Sequence, residues 1–293
     1  MSKGSKQRAE GFAEPAPWQS GRVPNGFWDY GENRRRYMDW LGQRLGFRES
    51  ADWYRVSRMD FCRNRGGSLL VMFYGDSPLA ALQDYRPDYP WQPWLFKRVP
   101  QHFWREIENR RAYLDWLGKH LGFKTLTDWY QIAKSDFQKH NGGGLLANYY
   151  QDSPYMAMCE YRPDYRWKPW LFRSVPQHFW QDAKNRRAYM RWFAAELDFK
   201  KPDDWYRVTK ADFQQHGGAG LLSNYYHDSP FLAVRDYLPD YPWKPWLFAR
   251  APQGFWRDDR NVREYEKWKR ATFGGARGRA RTLRATAKAD ASK

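Results

Sequence analysis

The stretch Trp243-Lys-Pro-Trp-Leu-Phe-Ala-Arg-Ala-Pro-Gln-Gly-Phe-Trp256 determines how the chain is divided. Versions of it occur earlier, at residues 167–180 and 91–104, and a shortened version begins at Pro17-Trp18. Its proline recurs every 76 residues, at Pro24, Pro100, Pro176 and Pro252. The chain therefore contains tandem copies of one sequence without insertions or deletions, a pattern typical of repeat architectures.

Each copy begins with a segment that predicts a long helix. In the second copy, residues 101–121 place Leu114, Leu117 and other apolar side chains near helical spacing, so that one face is apolar. Gly122 follows where a left-handed helix cap is expected. The third copy has Asp198 at this position, a residue that takes a left-handed conformation less easily than glycine.

Three shorter helical pieces are predicted after it. A bent pair of short helices around Trp53 ends near residue 64, and Ser57 precedes Asp60 by three residues, as in a helix-start motif. A third helix follows a glycine-rich turn. A fourth opens at Ser77-Pro78, because serine at the cap and proline in the first turn favour helix entry, and it ends near Tyr85.

The connector between copies is apolar and proline-rich, so we expect neighbouring copies to pack with fixed geometry. A fourth copy consists only of its first helix, and a lone amphipathic helix is unstable. We therefore expect it to cover the third copy and predict an elongated all-α array with nearest-neighbour interfaces. The predicted parts are a disordered leader (1–16), repeats 1 to 3 (17–98, 99–174 and 175–250), a capping helix (251–270) and a disordered basic tail (271–293).

Composition indicates a folded protein outside the membrane. Apolar residues make up 42% of the chain and aromatic residues 19%, which is far from a disordered composition. There is no apolar run long enough to span a membrane, and residues 1–11 lack the apolar core of a secretory signal. Cys62 and Cys159 occupy non-equivalent positions, so no disulfide framework is expected. These features favour a reducing intracellular compartment, nuclear or organellar.

The net charge of +17 favours a polyanionic partner such as nucleic acid. The copies are mildly basic, whereas residues 252–293 contain 12 basic and 5 acidic residues. The alternative is that the charge keeps an aromatic-rich protein soluble.

Catalytic patterns are missing from the sequence. Histidines do not recur through all copies, and the recurrent acids, such as Asp52 and Asp76, stand where helix or turn starts use Asp. The glycine pairs lack the preceding strand and the following Lys-Ser/Thr of a phosphate loop. We therefore predict a protein without enzymatic activity, with no metal, no cofactor, no small-molecule substrate and no membrane partner.

An Asn-Arg-Arg triplet recurs in the middle of the first helix, where Asn is unfavourable. In a functional interpretation, Arg contacts phosphate and Asn contacts a base or the backbone. In a structural one, Asn caps the connector and Arg pairs with Asp or stacks on Trp. The second Arg recurs in all four helices, which favours a structural role; the first is lost at the capping helix, which favours a surface role. The residues are Asn33, Arg34, Arg35, Asn109, Arg110, Arg111, Asn185, Arg186 and Arg187.

Two further sets are candidates for phosphate binding. A basic residue precedes each glycine-rich turn, and the turn's backbone amides would favour a phosphate oxygen; alternatively, the turn is only a tight helix–helix corner. Lysines beside the connector tryptophans form the other set. The two sets comprise Arg58, Lys134 and Lys210 with Gly66, Gly67, Gly142, Gly143, Gly217 and Gly218, and then Lys168 and Lys244.

The order of elements resembles small helix-turn-helix-like repeat modules, some of which accompany homing endonucleases and other nucleic-acid enzymes. No site residue is transferred from that resemblance. The sequence favours a non-enzymatic RNA- or DNA-binding protein. The alternative is a protein–protein scaffold in a larger ribonucleoprotein or organellar assembly, with the aromatic connector as its docking strip.

Overall fold

The computed structural model describes residues 16–273, where regular structure consists of α-helices and short 3₁₀ turns without strands. Equivalent helices of successive copies begin 76 residues apart. The α-helices are α1 (Gly31–Arg44), α2 (Arg58–Arg63), α3 (Gly67–Tyr74), α4 (Pro78–Tyr85), α5 (Ile107–His120), α6 (Lys134–Lys139), α7 (Gly143–Tyr150), α8 (Pro154–Tyr161), α9 (Ala183–Glu196), α10 (Lys210–Gln215), α11 (Ala219–Tyr226), α12 (Pro230–Tyr237) and α13 (Asp259–Phe273).

The first helix of each copy is shorter than predicted at its N-terminal end. In the second copy a separate 3₁₀ turn, Phe103–Arg105, precedes α5. Glu106 between them is extended, with φ −76° and ψ 127°. An extended residue interrupts the i to i−4 hydrogen-bond ladder and leaves carbonyls of the turn free. The prediction of one continuous helix over residues 101–121 was therefore wrong in its first turn.

The shorter helices follow the predicted order. In the first copy a 3₁₀ turn, Ser50–Arg55, is followed by α2, and the Ser57 amide donates a 2.8 Å hydrogen bond to the Asp60 carboxylate. The Ser77 hydroxyl accepts a 3.2 Å hydrogen bond from the Ala80 amide at the start of α4. The fourth helix of each copy ends at its predicted tyrosine.

Each copy surrounds one fully buried tyrosine of its first helix. In the second copy this is Tyr113, which lies between Trp94, Trp104 and Phe137, with ring-centroid distances of 5.7, 5.3 and 6.2 Å. The two tryptophan contacts are edge to face and add to the stabilisation from burying the rings. The aromatic residues therefore serve mainly as core.

The connector packs on both of the copies that it joins. Between the first and second copies, the Trp91 and Phe96 rings lie 5.4 and 4.9 Å from the Tyr54 ring. The Trp94 ring lies 5.7 Å from that of Tyr113, and the Asn141 side-chain amide donates a 3.0 Å hydrogen bond to the Trp94 carbonyl. The connector is therefore a packed joint and not a flexible linker.

The chain divides into two compact units. One takes residues up to Trp129 together with Lys134–Tyr161, and the other takes Tyr130–Ala133 together with residues from Arg162 onward, so that the division falls within the second copy. In the second unit, Trp246 packs on Tyr265 and Trp268 of α13.

The predicted ends of the chain are described only in part. Helix α13 extends to Phe273, so residues 271–273, predicted as tail, are helical. Ala16, predicted as the last residue of the leader, packs against the core of the first copy. The rest of the predicted leader and tail, residues 1–15 and 274–293, lies outside the described residues. Among residues 16–273, the longest apolar helical segments are too short or too polar to cross a bilayer.

Candidate nucleic-acid interface

The asparagine of the Asn-Arg-Arg triplet holds the 3₁₀ turn that precedes its helix. Its side-chain amide donates to the carbonyl six residues earlier, so that the carbonyl left free by the extended residue is satisfied. This explains why Asn recurs here, at the third residue of each helix and not in the helix middle that the sequence suggested. The four bonds are Asn33 to Phe27 (2.8 Å), Asn109 to Phe103 (2.8 Å), Asn185 to Phe179 (2.9 Å) and Asn261 to Phe255 (3.0 Å).

The first arginine of the triplet is buried in an internal network. Arg110 is 9% exposed. Its Nη1 donates to the carbonyls of Trp104 and Arg105 at 2.7 and 2.8 Å. Its Nε and Nη2 donate to the Glu160 carboxylate at 2.7 and 3.0 Å, and the Tyr149 ring covers the guanidinium at 5.0 Å. Such a bidentate, capped guanidinium is a structural element.

The electrostatics of this network keep both partners charged. The hydrogen bond to Glu160 raises the pKa of Arg110. Burial alone would raise the pKa of Glu160, but the hydrogen bonds from Arg110 and Tyr150 outweigh burial and lower it. Arg34 and Arg186 repeat the arrangement with Asp84 and Asp236. The predicted surface role of the first arginine was therefore wrong, because its donors are used within the fold.

The second arginine is the exposed one, which reverses the roles expected from the sequence. Arg35, Arg111 and Arg187 are all exposed. Successive helical residues point about 100° apart, so the helix that directs Arg110 towards its turn directs Arg111 to solvent. Within residues 16–273, none of the three forms a hydrogen bond or an ion pair. These guanidinium groups are available to a ligand.

The basic residues before the glycine turn are partly exposed but paired. Lys134 and Lys210 form 2.8 Å ion pairs with Asp152 and Asp228, and Arg58 pairs with the equivalent Asp76. Exposed pairs of this kind contribute about 0–1 kcal/mol and are screened by salt. These residues could exchange a carboxylate for a phosphate, but they are not free cations.

The glycine that all copies share is required by packing. A Cβ atom at Gly142 would lie 2.1 Å from the Tyr113 hydroxyl oxygen, and Gly66 and Gly218 stand equally close to Tyr37 and Tyr189. The shared glycine's amide also donates to a phenylalanine carbonyl of its own copy. The shared glycine is therefore explained by the tight helix–helix corner, and its backbone amide is not free to bind phosphate.

The sequence suggests that Gly217-Gly218 matches Gly66-Gly67 and Gly142-Gly143, but Gly217 lies one repeat position before Gly66 and Gly142. Gly217 is equivalent to Arg65 and Asn141, and all three have positive φ, at 72°, 67° and 61°. A Cβ atom at Gly217 would lie 2.0 Å from the Trp170 carbonyl oxygen. This glycine permits a close backbone approach in its own copy. Gly67 and Gly143 correspond to Ala219, so a glycine is not essential there.

The connector lysines have a backbone role. The amides of Lys168 and Lys244 donate to the hydroxyls of Tyr130 and Tyr206 at 3.2 and 3.0 Å. The Lys168 ammonium lies 5.3 Å from the Trp192 ring centroid, whereas Lys244 is exposed. Of this pair, only Lys244 presents its side chain fully to solvent.

Exposed aromatic side chains are the features that sequence reasoning missed. Phe73, Tyr149 and Tyr225 occupy equivalent positions, cover the first arginines and remain partly accessible. Trp256 is 50% exposed, and the other 17 of the 18 tryptophans are buried or half-buried. The repeat register gave a usable signal for Trp256, since no sequence similar to the later helices of a copy occurs in residues 259–273.

Comparisons of the chain with protein-family models, curated proteins and solved structures found no match. Within residues 16–273, no group of three or more His, Cys, Asp or Glu side chains is arranged to hold a metal ion. The function must therefore be argued from exposed charge and exposed aromatic surface.

Proposed function

We propose that this protein is a non-enzymatic nucleic-acid-binding helical repeat protein. The observation that carries the proposal is the recurrence of Arg35, Arg111 and Arg187 as exposed guanidinium groups that form no hydrogen bond or ion pair within residues 16–273. Arg35 and Arg111 attract Asp84 and Glu160 at longer range, but these acids accept their hydrogen bonds from the first arginines, so the second arginines keep their N–H donors for solvent. Phosphate accepts bidentate hydrogen bonds from guanidinium as carboxylate does, and the net charge of +17 favours a polyanion as their ligand.

The repeat order supports one extended ligand that spans several copies. We infer a tandem array in which every copy contributes one second arginine to the same ligand. Once one copy has bound a phosphate, the others bind at a high effective concentration. The net charge of +17 adds long-range attraction. Because phosphates are common to RNA and DNA, the proposal covers both.

The test compares two triple variants with the same charge change. The first replaces Arg35, Arg111 and Arg187 with glutamine. The control replaces the basic residues at another recurrent exposed position with glutamine, namely Arg48, Lys124 and Lys200. Binding of labelled RNA and DNA is measured by fluorescence anisotropy from about 50 to about 200 mM salt.

The wild type should bind with a steep inverse dependence on salt. If each second arginine neutralises one phosphate, its triple variant should have a shallower log K against log salt slope, by roughly 2 for single strands and 2.7 for duplex DNA. The control should change far less. The proposal fails if the wild type does not bind at the lowest salt, or if both triple variants lose affinity equally.

A protein scaffold is the alternative, and one surface of the first copy favours it. Met72 and Tyr30 are 73% and 70% exposed, beside exposed Val71. The equivalents of Met72 and Tyr30 in the second copy are Asn148 and Glu106, so the fold does not require apolar residues there. In contrast, the connector tryptophans are buried or half-buried, which removes the docking strip that the sequence suggested.

The scaffold alternative predicts a different outcome. Replacing Tyr30 with Glu and Met72 with Asn, as in the second copy, should abolish association with a protein partner and leave thermal stability unchanged. Under the nucleic-acid proposal, the same double variant should bind RNA and DNA like the wild type.

A further inference from the structure

Trp256 is exposed, whereas the tryptophans at the equivalent positions of the other copies are buried or half-buried. Trp28 and Trp180 are 4% and 6% exposed, and Trp104 is half-buried, whereas Trp256 is 50% exposed. In the third copy the cover is α11: a Cβ atom added to Gly220 would lie 3.7 Å from the Trp180 Nε1. No equivalent helix follows α13 within the described residues.

The exposed indole is nevertheless held in a fixed position. Its ring meets the Phe255 and Tyr265 rings edge to face, at centroid distances of 4.9 and 5.1 Å and interplanar angles of 88° and 79°. The Tyr265 ring packs in turn on Trp246 at 5.7 Å. A rigid indole loses little conformational entropy when a second ring stacks on it.

The segment that follows the indole, residues 257–273, contains six basic and four acidic residues. Arg257 and Arg263 are exposed, and Lys269 lies 5.8 Å from the Tyr265 ring centroid. The nearest acid along the chain, Asp258, accepts hydrogen bonds from Arg260. An apolar protein surface would gain nothing from exposed arginines beside the indole in the sequence, whereas a nucleotide pairs a flat ring with a phosphate.

We propose that Trp256 is a stacking site for an unpaired base of a single-stranded nucleic acid, with Arg257 and Arg263 contacting the flanking phosphates. The inference rests on the proposed nucleic-acid function and adds the strand class. Bases within a duplex are already stacked and cannot reach an indole, whereas single-strand-binding proteins combine aromatic plates with a basic groove.

The first test measures affinity for a single strand and for a duplex of matched length. The variants are Trp256→Ala, Trp256→Phe and, as a control for exposed aromatic residues elsewhere, Tyr30→Ala. Loss of one stacking contact should weaken single-strand binding of Trp256→Ala on the order of tenfold. Trp256→Phe should retain most of the affinity, and Tyr30→Ala all of it. Duplex binding should be unchanged in every variant.

The second test locates the contact without relying on a variant. Ultraviolet crosslinking of the full chain to a single strand, followed by trypsin, should attach nucleotides to the peptide 251–257, which contains Trp256. Unchanged single-strand binding in Trp256→Ala, equal losses on both ligands, or crosslinks only elsewhere would overturn the stacking site and leave the proposed function standing. A lower oligomeric mass of Trp256→Ala with unchanged binding would assign the indole to a protein contact. Absence of all nucleic-acid binding would reject both proposals.

Discussion

Replacing Gly142 with alanine should be among the most destabilising single-methyl additions in this protein. The new Cβ would lie 2.1 Å from the Tyr113 hydroxyl oxygen and 2.5 Å from its Cζ. Carbon atoms normally pack at about 3.5–4.0 Å, so the ring would have to move by about 1 Å. Tyr113 is fully buried between Trp94 and Phe137 and has no free space to enter.

The expected loss in unfolding free energy is about 3 kcal/mol, at the upper end of the range for overpacked cores. It corresponds to a melting temperature lower by roughly 6–12 °C. The backbone contributes nothing to this loss, because Gly142 has φ −92° and ψ 5°, a conformation open to alanine. The loss is therefore a direct measure of the clash with the tyrosine.

Gly144 offers a matched control two residues away in the first turn of α7. A Cβ atom there would have nothing within 4 Å. Gly144→Ala should stabilise the protein by about 0.5 kcal/mol, because alanine favours the helix over glycine. Differential scanning calorimetry measures both variants. The double variant Gly142→Ala/Tyr113→Leu should be more stable, by at least about 1 kcal/mol, than the sum of the two single effects predicts. Equal effects of the two alanines, or strict additivity in the double variant, would refute the steric argument.

Three further predictions concern the helix cap at Asp198, the Arg110 network and His140. Asp198 has a left-handed φ of 53° where the other copies have glycine, so Asp198→Gly should raise stability by about 0.5–1 kcal/mol in thermal denaturation. Arg110→Ala should cost about 2 kcal/mol, because the half-buried Glu160 keeps only its hydrogen bond from Tyr150 and two carbonyls lose their side-chain donor, whereas exposed Arg111→Ala should change urea denaturation by less than about 0.5 kcal/mol. Burial lowers the pKa of the His140 imidazole in the folded protein. The folded state therefore binds a proton there less readily than the unfolded state, so the free energy of unfolding falls as the pH drops below about 6.5. His140→Asn should therefore reduce the loss of melting temperature between about pH 7.5 and 5, and an unchanged acid loss would contradict this.

Local signals were sufficient for most of the fold. The Ser77-Pro78 helix start, the ends of the fourth helices and the capping pair of Ser57 with Asp60 depend on neighbouring residues alone. The break before α5 was missed, because the extended Glu106 is stabilised by Asn109 and by Arg110, whose carboxylate partner lies 50 residues away. Periodicity cannot report such a contact.

The candidate site was predicted less well for a related reason. A basic residue in a helix has the same appearance in a sequence whether a carboxylate of another helix neutralises it or solvent surrounds it. Arg34 pairs with Asp84, and Arg58 pairs with Asp76. Both acids recur together with their arginines or lysines. Recurrence alone therefore could not show whether a basic residue has a structural role or binds a ligand.

The fourth copy separates the two roles of the triplet. The acid that neutralises the first arginine belongs to the fourth helix of a copy, and none follows α13 in the described residues. A buried arginine without that acid would be costly, and Val262 stands at this position. The asparagine needs only the preceding turn, and Asn261 retains its bond to the Phe255 carbonyl. Arg263, in contrast, is exposed and retained. Loss of the first arginine is therefore explained by packing. The second, Arg263, remains at the surface like Arg35, Arg111 and Arg187, and its charge adds to the hydrogen bonds from Arg260 that lower the pKa of Asp258.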